Sequence, residues 1–193
     1  QFPRRLVADA EHVYATLNLN APVTQLDAVT GKTLQTYECT KGTEEIILSD
    51  GLLLTVTGPP RTEQEKVLRG MYAKEARAPG NAITLKWSDW ERTIVAVRAE
   101  SGEEAWRLSA TVLPNTLAAD GSSVYFCDGN SIVAVEKQTG RRRWTSDPVA
   151  TCKEIPTGFA PTLVVVGGTV VYAGGDKYQQ HMKCVIDSMT GMR

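Results

Sequence analysis

The sequence predicts an all-β protein built from a repeated unit of short antiparallel strands. Two observations lead to this prediction. Short stretches such as Val133-Ala134-Val135 and Val170-Val171-Tyr172 consist of strand-forming apolar residues, a pattern that suits half-buried strands. A Thr-Gly or Ser-Gly step also recurs after such stretches, with its glycine at Gly31, Gly102, Gly140 and Gly191.

Four copies of this unit fit the chain, and we place them at about 6–38, 45–109, 116–147 and 161–193. The third copy is the most regular. The fourth stops before the position at which its last strand is expected. Each complete copy reads as four short strands. Units of about 40 residues with four strands, stacked side by side, are β-propeller blades.

The residues around each glycine have physical roles in the repeated unit. The glycine supplies a backbone conformation with positive φ at little steric cost, which a tight turn between strands requires. Four residues after the glycine stands Trp106 in the second copy and Trp144 in the third, whereas the first copy has Gln35 there. A large side chain at a fixed offset gives each blade an apolar group to bury against its neighbour. A sandwich or a barrel, the rival all-β folds, predicts no such repeat. The residues that we expect to dock one blade on the next are Trp106, Trp144, Gly31, Gly102, Gly140 and Gly191.

Two segments resemble a known repeat. IVAVRAESGEEAW (94–106) and IVAVEKQTGRRRW (132–144) are similar to the PQQ-like propeller repeat of quinoprotein dehydrogenases and of the BamB family. VTQLDAVTGKTLQ (23–35) and CVIDSMTGMR (184–193) are looser matches. The resemblance extends over nearly the whole chain except about 58–90. It implies a partial PQQ-like propeller of about three and a half blades, in a protein of the bacterial periplasm or cell surface.

The chain also departs from the quinoprotein dehydrogenases. Those enzymes have about eight blades, a pair of adjacent cysteines near the cofactor, and a Glu/Asn/Asp set on calcium. The four cysteines here are far apart, at Cys39, Cys127, Cys152 and Cys184, and no calcium set can be assigned. We therefore expect no cofactor, with PQQ and Ca²⁺ present only if the chain is part of such a dehydrogenase. The disulfide state of the cysteines stays open between buried thiols and one or two bridges.

A partial propeller exposes blade faces and edges, so we expect the chain to be part of a larger protein. The remaining blades would lie on the same chain or on a partner chain. The chain opens without a charged and then apolar leader, so no signal peptide is expected in it.

An insertion at 58–90 interrupts the second repeat. Thr62 and Glu65 match a capping box, which predicts a helix at about 62–76. Four large side chains of the insertion could contact a protein partner: Met71, Tyr72, Trp87 and Trp90. Two interpretations stay open, a docking element on a rigid scaffold and a helix that packs on its own blade.

Several chemistries find no support in the sequence. The chain has 21 Lys and Arg against 22 Asp and Glu, a net charge of -1 that argues against a dedicated nucleic-acid binder. It has no apolar run of about 18 residues, so no transmembrane helix is expected. Neither His12 nor His181 lies in a metal-binding or catalytic motif, and we assign no catalytic or metal-binding residues. The densest basic cluster is at 141–143, and it could be either a solvated hairpin or a binding surface for an anionic partner.

Three functional hypotheses remain open. The first, which we favour, is a non-catalytic binding or scaffold module within a larger envelope or extracytoplasmic protein. The second is part of a PQQ-dependent quinoprotein dehydrogenase. The third is a sensor propeller attached to a separate catalytic domain. A fold alone does not choose among them.

Overall fold

A computed structural model describes residues 4–59, 84–86, 91–149, 154–156, 161–174 and 183–192. Apart from a 3-10 turn at Glu38–Thr40, every regular element in these ranges is a β-strand. The strands pair antiparallel throughout, which confirms the predicted all-β class with four-stranded propeller blades.

Four sheets, here called blades 1 to 4, follow one another along the chain. Blade 1 contains β1 (Leu6–Ala8), β2 (His12–Thr16), β3 (Val23–Asp27) and β4 (Thr33–Tyr37). Blade 2 contains β5 (Thr43–Ser49), β6 (Leu52–Thr57), β8 (Glu91–Arg98) and β9 (Glu104–Thr111), and the short strand β7 (Thr84–Lys86) lies between β6 and β8 in the chain. Blade 3 contains β10 (Ala118–Ala119), β11 (Ser123–Cys127), β12 (Ile132–Glu136) and β13 (Arg142–Thr145).

The remaining strands form blade 4 and a small ribbon. Among the described residues blade 4 has three strands, β15 (Thr162–Val166), β16 (Thr169–Ala173) and β17 (Lys183–Asp187). Strand β14 (Glu154–Pro156) pairs with β7 in a two-stranded ribbon. The insertion of blade 2 therefore meets the connection between blades 3 and 4. The predicted helix at 62–76 and the residues Met71, Tyr72, Trp87 and Trp90 lie outside the described residues.

The last two strands of blades 1, 2 and 3 share one irregularity. Their pairing shifts by one residue between Gln25 and Leu26, between Ala96 and Val97, and between Ala134 and Val135. The extra residue lies near the tight turn that ends in the anchoring glycine. A shift of this kind re-aims the side chains of the following strand.

Among the described residues the core lies between the blades and consists of three apolar clusters. The first joins blades 1 and 2 and includes Tyr14, Tyr37 and Leu53. The second joins blades 2 and 3, and the third joins blades 3 and 4. This arrangement explains why successive residues of such a strand are apolar: in β12, Val133 and Val135 face blade 2, whereas Ala134 faces blade 4.

The outer faces of blades 1 and 4 have no such cover from the described residues. On blade 4 the exposed side chains are Val164, Val166 and Val185, which are 47%, 68% and 57% exposed. On blade 1, Leu6 and Leu34 are 63% and 50% exposed. Within the ranges that the structure describes, no helix is long and apolar enough to cross a membrane.

Candidate functional site at the blade interfaces

The tight turn after the third strand has the same construction in blades 1 and 4. In blade 1 the carboxylate of Asp27 accepts hydrogen bonds from the backbone and hydroxyl of Thr30, both at 2.7 Å. The backbone N–H of Gly31 donates to the carbonyl of Asp27 at 2.8 Å. The Thr30 hydrogen bonds hold the pKa of Asp27 below its usual range. Asp187 and Thr190 repeat these contacts in blade 4, and the pKa of Asp187 is lowered for the same reason.

Trp106 of blade 2 docks on the turn of blade 3. Its indole lies so close to Gly140 that a Cβ at this glycine would come within 2.7 Å of the ring. Its Nε1 donates a hydrogen bond of 2.7 Å to the backbone carbonyl of Lys137. We call this pair of features a glycine socket: the anchoring glycine together with the carbonyl of the residue three positions before it.

Trp144 of blade 3 docks on blade 4 in the same way. The glycine socket there consists of Gly191 and the carbonyl of Ser188. Nε1 of Trp144 donates to this carbonyl at 3.0 Å, and a Cβ at Gly191 would come within 2.7 Å of the ring. The sequence predicts both tryptophans and their glycines, and the structure brings each tryptophan onto the glycine of the following blade.

Two residues share this role between blades 1 and 2. The side chain of Gln35 lies against Gly102, at the position that the indole takes in the other blades. The hydrogen bond comes from Tyr37, whose hydroxyl donates to the carbonyl of Ala99 at 2.6 Å. Burial raises the pKa of Tyr37 to about 12. Sequence reasoning missed Tyr37, although residues 35 and 37 point to the same side of a strand.

Lys137 is a buried link between blades 2 and 3. Its side chain is 1% exposed. The Nζ atom forms an ion pair with Asp50 of blade 2 and donates to the carbonyl of Asp120 at 2.8 Å. Since its own carbonyl accepts the Trp106 indole, Lys137 joins the two blades through backbone and side chain together. No local sequence pattern predicts a buried lysine in this turn.

Glu45, on the first strand of blade 2, is a second buried charge that sequence reasoning missed. Its Oε1 pairs with Arg4 and accepts the backbone N–H of Leu117 at 3.3 Å, whereas Oε2 has no hydrogen-bond partner within the described part of the chain. Burial raises the pKa of Glu45 to about 7, although Arg4 and the N–H groups of Leu117 and Asn115 act in the opposite direction. The neighbouring Glu44 forms a mostly buried ion pair with Arg92 at 2.7 Å.

The basic cluster at 141–143 lies on the surface of blade 3. Arg143 donates to the hydroxyls of Ser122 and Ser123 at 3.0 and 2.7 Å. The three arginines are exposed and line a shallow depression of about 570 Å³ together with Gly121, Ser122, Glu136 and Gln138. The acidic Glu136 beside them offsets part of their positive charge.

Two of the four cysteines have side chains that the structure describes. Cys127 is a buried free thiol and Cys39 a half-buried one. Burial raises the pKa of both thiols, which favours the unreactive protonated form.

Among the described residues no three His, Cys, Asp or Glu side chains are grouped closely enough to hold a metal ion. The Nδ1 atom of the half-buried His12 lies 3.3 Å from Oδ1 of Asp9.

Comparisons with known proteins agree with the blade architecture. A family model described as outer membrane protein assembly factor BamB matches residues 90–191, more than half of the chain. No curated protein matches the sequence.

Several solved structures share the fold at low identity. The computationally designed Ika4 protein matches with a TM-score of 0.59 and 12% identity, over 96% of this chain and 90% of that one. BamB from Moraxella catarrhalis matches with a TM-score of 0.51 and 13% identity, over 90% of this chain and 45% of that one. A quinohemoprotein alcohol dehydrogenase from Pseudomonas putida HK5 matches with a TM-score of 0.55 and 16% identity, over 98% of this chain and 33% of that one. The chain thus spans less than half of either natural propeller.

Proposed function

Because this chain belongs to the PQQ-like repeat family described as outer membrane protein assembly factor BamB, we propose that it is a non-catalytic binding and scaffold module. In this proposal the repeats at 6–38, 45–109, 116–147 and 161–193 are blades of a larger propeller. The other blades lie on the same chain or on a partner.

The observation that carries this proposal is the apolar character of the two outer blade faces. Between blades, the corresponding side chains are buried: Ala96 and Ala134, which occupy the position of Val185 in blades 2 and 3, are both 0% exposed. On blade 4, Val164, Val166 and Val185 instead face away from the described blades. Exposed apolar patches on a folded protein mark surfaces that another protein covers. A further blade is the partner that fits, because the neighbouring interfaces already show how one blade covers another.

The family match supports both the proposed role in protein assembly and the proposed location of the protein. The matching family is described as an assembly factor of the outer membrane, and assembly takes place through contacts between proteins. On this basis we propose that the protein lies in the bacterial periplasm or at the cell surface. The insertion at 58–90, with Met71, Tyr72, Trp87 and Trp90, remains our predicted contact for a further protein partner.

Photo-crosslinking tests this proposal in the native envelope. A benzophenone side chain would replace Val164 or Val185, and Arg107, an exposed residue on the outer strand of blade 2, would serve as the control position. We expect residues 164 and 185 to crosslink to another propeller blade or to an envelope protein, and residue 107 to do so much less. Equal yields at all three positions would overturn the proposal.

Two further measurements separate the scaffold from the alternatives. The intact mass of the protein from its native source should exceed the 21.0 kDa of this chain if further blades lie on the same polypeptide. Dye-linked alcohol oxidation that appears on addition of PQQ and Ca²⁺ would contradict the non-catalytic role.

A further inference from the structure

The depression beside residues 141–143, here called the basic depression, is formed by two turns at one end of blade 3. Gly121 and Ser122 come from the turn between β10 and β11, and the other lining residues lie within 136–143, from the end of β12 to the start of β13. The N–H of Lys137 donates to the carbonyl of Ser122 at 2.9 Å, which ties the two turns together. Blades 2 and 4, which flank blade 3, both belong to this chain, so the depression does not arise from an uncovered end of the propeller.

The three arginines of the basic depression lack carboxylate partners. All three are exposed, and within the described part of the chain none of them forms an ion pair. In contrast, the exposed Arg98 and Arg107 of blade 2 each pair with a nearby glutamate. Adjacent guanidinium groups repel one another, and an anion that binds between them relieves this repulsion. The cluster therefore retains positive charge that a bound anion can neutralise.

Glu136, the acidic residue of the lining, belongs to the tight turn of blade 3. Its carboxylate accepts a hydrogen bond from the hydroxyl of Thr139. Asp27 and Asp187 make the same contact with the threonines of their own turns in blades 1 and 4. The role of Glu136 in the turn explains its presence in the depression. Three arginines against one glutamate leave the lining with a net charge of +2.

The guanidinium of Arg143 is held in place before any ligand binds. Its Nη1 donates to the hydroxyls of Ser122 and Ser123 at 3.0 and 2.7 Å. A guanidinium has five N–H donors, and these two hydrogen bonds use only Nη1. The edge formed by Nε and Nη2 remains, and this edge matches the two oxygens of a carboxylate. Because the side chain is already positioned, it loses less conformational entropy when an anion binds.

We propose that the basic depression binds an acidic segment of a partner protein, whose Asp or Glu carboxylates pair with Arg141, Arg142 and Arg143. This inference rests on the scaffold function proposed above, and it adds the kind of partner sequence that one surface of the module recognises. The depression is separate from the outer faces of blades 1 and 4, so the two surfaces can be tested independently.

Charge and position favour an acidic peptide over other anions. Two carboxylates match the net charge of +2, whereas a nucleic acid requires basic groups along several successive phosphates, and the chain as a whole has a net charge of -1. Strand β13, which supplies Arg142 and Arg143, has no described strand on its outer side. An extended peptide can hydrogen-bond to such an edge through its backbone, whereas a lipid headgroup has no peptide backbone to pair there.

Photo-crosslinking in the native envelope tests the proposal. A benzophenone side chain would replace Gln138, an exposed residue of the lining, in the complete protein. We expect a crosslink to a protein segment that contains two or more neighbouring Asp or Glu residues, identified by mass spectrometry. A crosslinked segment without neighbouring acidic residues, a crosslink to nucleic acid or lipid, or no crosslink at all would overturn the proposal.

Two matched double substitutions show whether the arginines attract this segment. Arg141→Gln with Arg142→Gln removes two charges from the depression and keeps the hydrogen bonds of Arg143. Arg98→Gln with Arg107→Gln is the control, because it removes two exposed arginines of blade 2 and changes the net charge equally. The first pair should lower the crosslink yield at position 138 about tenfold, and the second should change it less than about twofold. Equal reductions would overturn the proposal, since the overall charge of the chain would then attract the partner.

The crosslinked segment also supplies a direct binding measurement. A fluorescent synthetic peptide with its sequence is compared with a neutral copy in which Asn and Gln replace Asp and Glu. The complete protein should bind the acidic peptide about tenfold more tightly than the neutral copy, and the difference should shrink as the salt concentration rises. Equal affinities for the two peptides would overturn the proposal.

The outcomes separate this proposal from the scaffold function itself. Crosslinks at positions 164 and 185 without a crosslink at position 138 would refute the acidic-segment site alone. A crosslink from position 138 to an acidic segment, together with equal yields at positions 107, 164 and 185, would instead refute the role proposed from blade 4.

Discussion

The indole of Trp106 is held on the following blade at two points, the backbone of Gly140 and the carbonyl three residues before it. The ring lies where a Cβ at Gly140 would come within 2.7 Å, and its Nε1 donates to the carbonyl of Lys137 at 2.7 Å. One contact selects a residue without a side chain, and the other selects a ring with an N–H group. Together they fix the position of blade 3 relative to blade 2.

The first prediction compares Gly140→Ala with Gly31→Ala in the 193-residue chain. Both glycines have a φ of 69°, so both variants place an alanine in a left-handed conformation at a cost of about 1–2 kcal/mol. Only Gly140 faces a ring, and displacing that ring should cost about 1–3 kcal/mol more. Urea unfolding should therefore show a clearly larger loss for Gly140→Ala. Equal losses would mean that the ring contact contributes nothing to stability.

The second prediction concerns the tryptophans themselves. Trp106→Ala should lower the free energy of unfolding by about 3–5 kcal/mol, because it removes a large buried aromatic side chain. Trp106→Phe keeps a ring but leaves the Lys137 carbonyl without its donor, which should cost about 1–3 kcal/mol. Trp144 is less buried than Trp106, so Trp144→Ala should cost less than Trp106→Ala. Equilibrium denaturation in urea measures all three, and a neutral Trp106→Phe would show that the hydrogen bond is dispensable.

The third prediction separates the two residues that act between blades 1 and 2. Tyr37→Phe removes the hydroxyl that donates to the carbonyl of Ala99 at 2.6 Å, which leaves a buried acceptor unpaired. We expect it to lower the free energy of unfolding by about 1–3 kcal/mol. Gln35→Ala should cost less than either tryptophan substitution, because a polar side chain contributes less to the interface than a buried ring. A loss at Gln35→Ala as large as that of Trp106→Ala would contradict this alignment of the blades.

The propeller architecture could be read from the sequence because the repeat depends on short-range rules. Short apolar stretches predict the strands, and a glycine that can adopt a positive φ predicts the turn. The constant distance from glycine to tryptophan then pointed to Trp106 and Trp144. At the first interface the same rule led to Gln35 but not to Tyr37, because the hydrogen bond there comes from a residue two positions further along the strand.

The buried charges could not be read in this way, because each depends on residues far away in the sequence. Lys137 lies in a turn with charged and polar neighbours, a context typical of solvent exposure. It becomes buried because Asp50, 87 residues away, meets it across the interface. Glu45 follows another glutamate near the start of its strand, and its partner Arg4 lies 41 residues earlier. Pairings over such distances follow from blade packing rather than from local pattern.

The fourth prediction concerns the ion pair of Lys137 and Asp50. Asp50→Asn keeps the shape of the side chain and suits the positive φ of 47° at this position, but it leaves a buried ammonium without its counter-charge. Lys137→Met removes the buried charge itself and preserves most of the packing. We therefore expect urea unfolding to show a larger loss for Asp50→Asn than for Lys137→Met. The opposite order would mean that the lysine stabilises the interface mainly through its hydrogen bond to the Asp120 carbonyl, which a methionine cannot form.

The fifth prediction is a pH dependence that arises from Glu45. Burial raises its pKa from an ordinary 4.5 to about 7 in the folded protein. The folded state therefore holds a proton that the unfolded state releases, so the contribution is complete below about pH 4.5 and is lost as the pH rises to about 7. From the size of the shift, the loss is on the order of 3 kcal/mol.

Glu45→Gln should remove this dependence, because the amide cannot ionise and has nearly the same shape. The variant should be more stable than the parent chain above pH 7 and close to it near pH 4.5, as measured by urea midpoints between pH 4 and pH 8. Glu104→Gln is the matched control: Arg107 lowers the pKa of Glu104, so this variant should be less stable than the parent chain by a constant amount from about pH 5 to pH 8, and the difference should shrink only as the pH falls below about 4.5. A constant difference between Glu45→Gln and the parent chain from pH 4 to pH 8 would show that Arg4 keeps Glu45 ionised throughout.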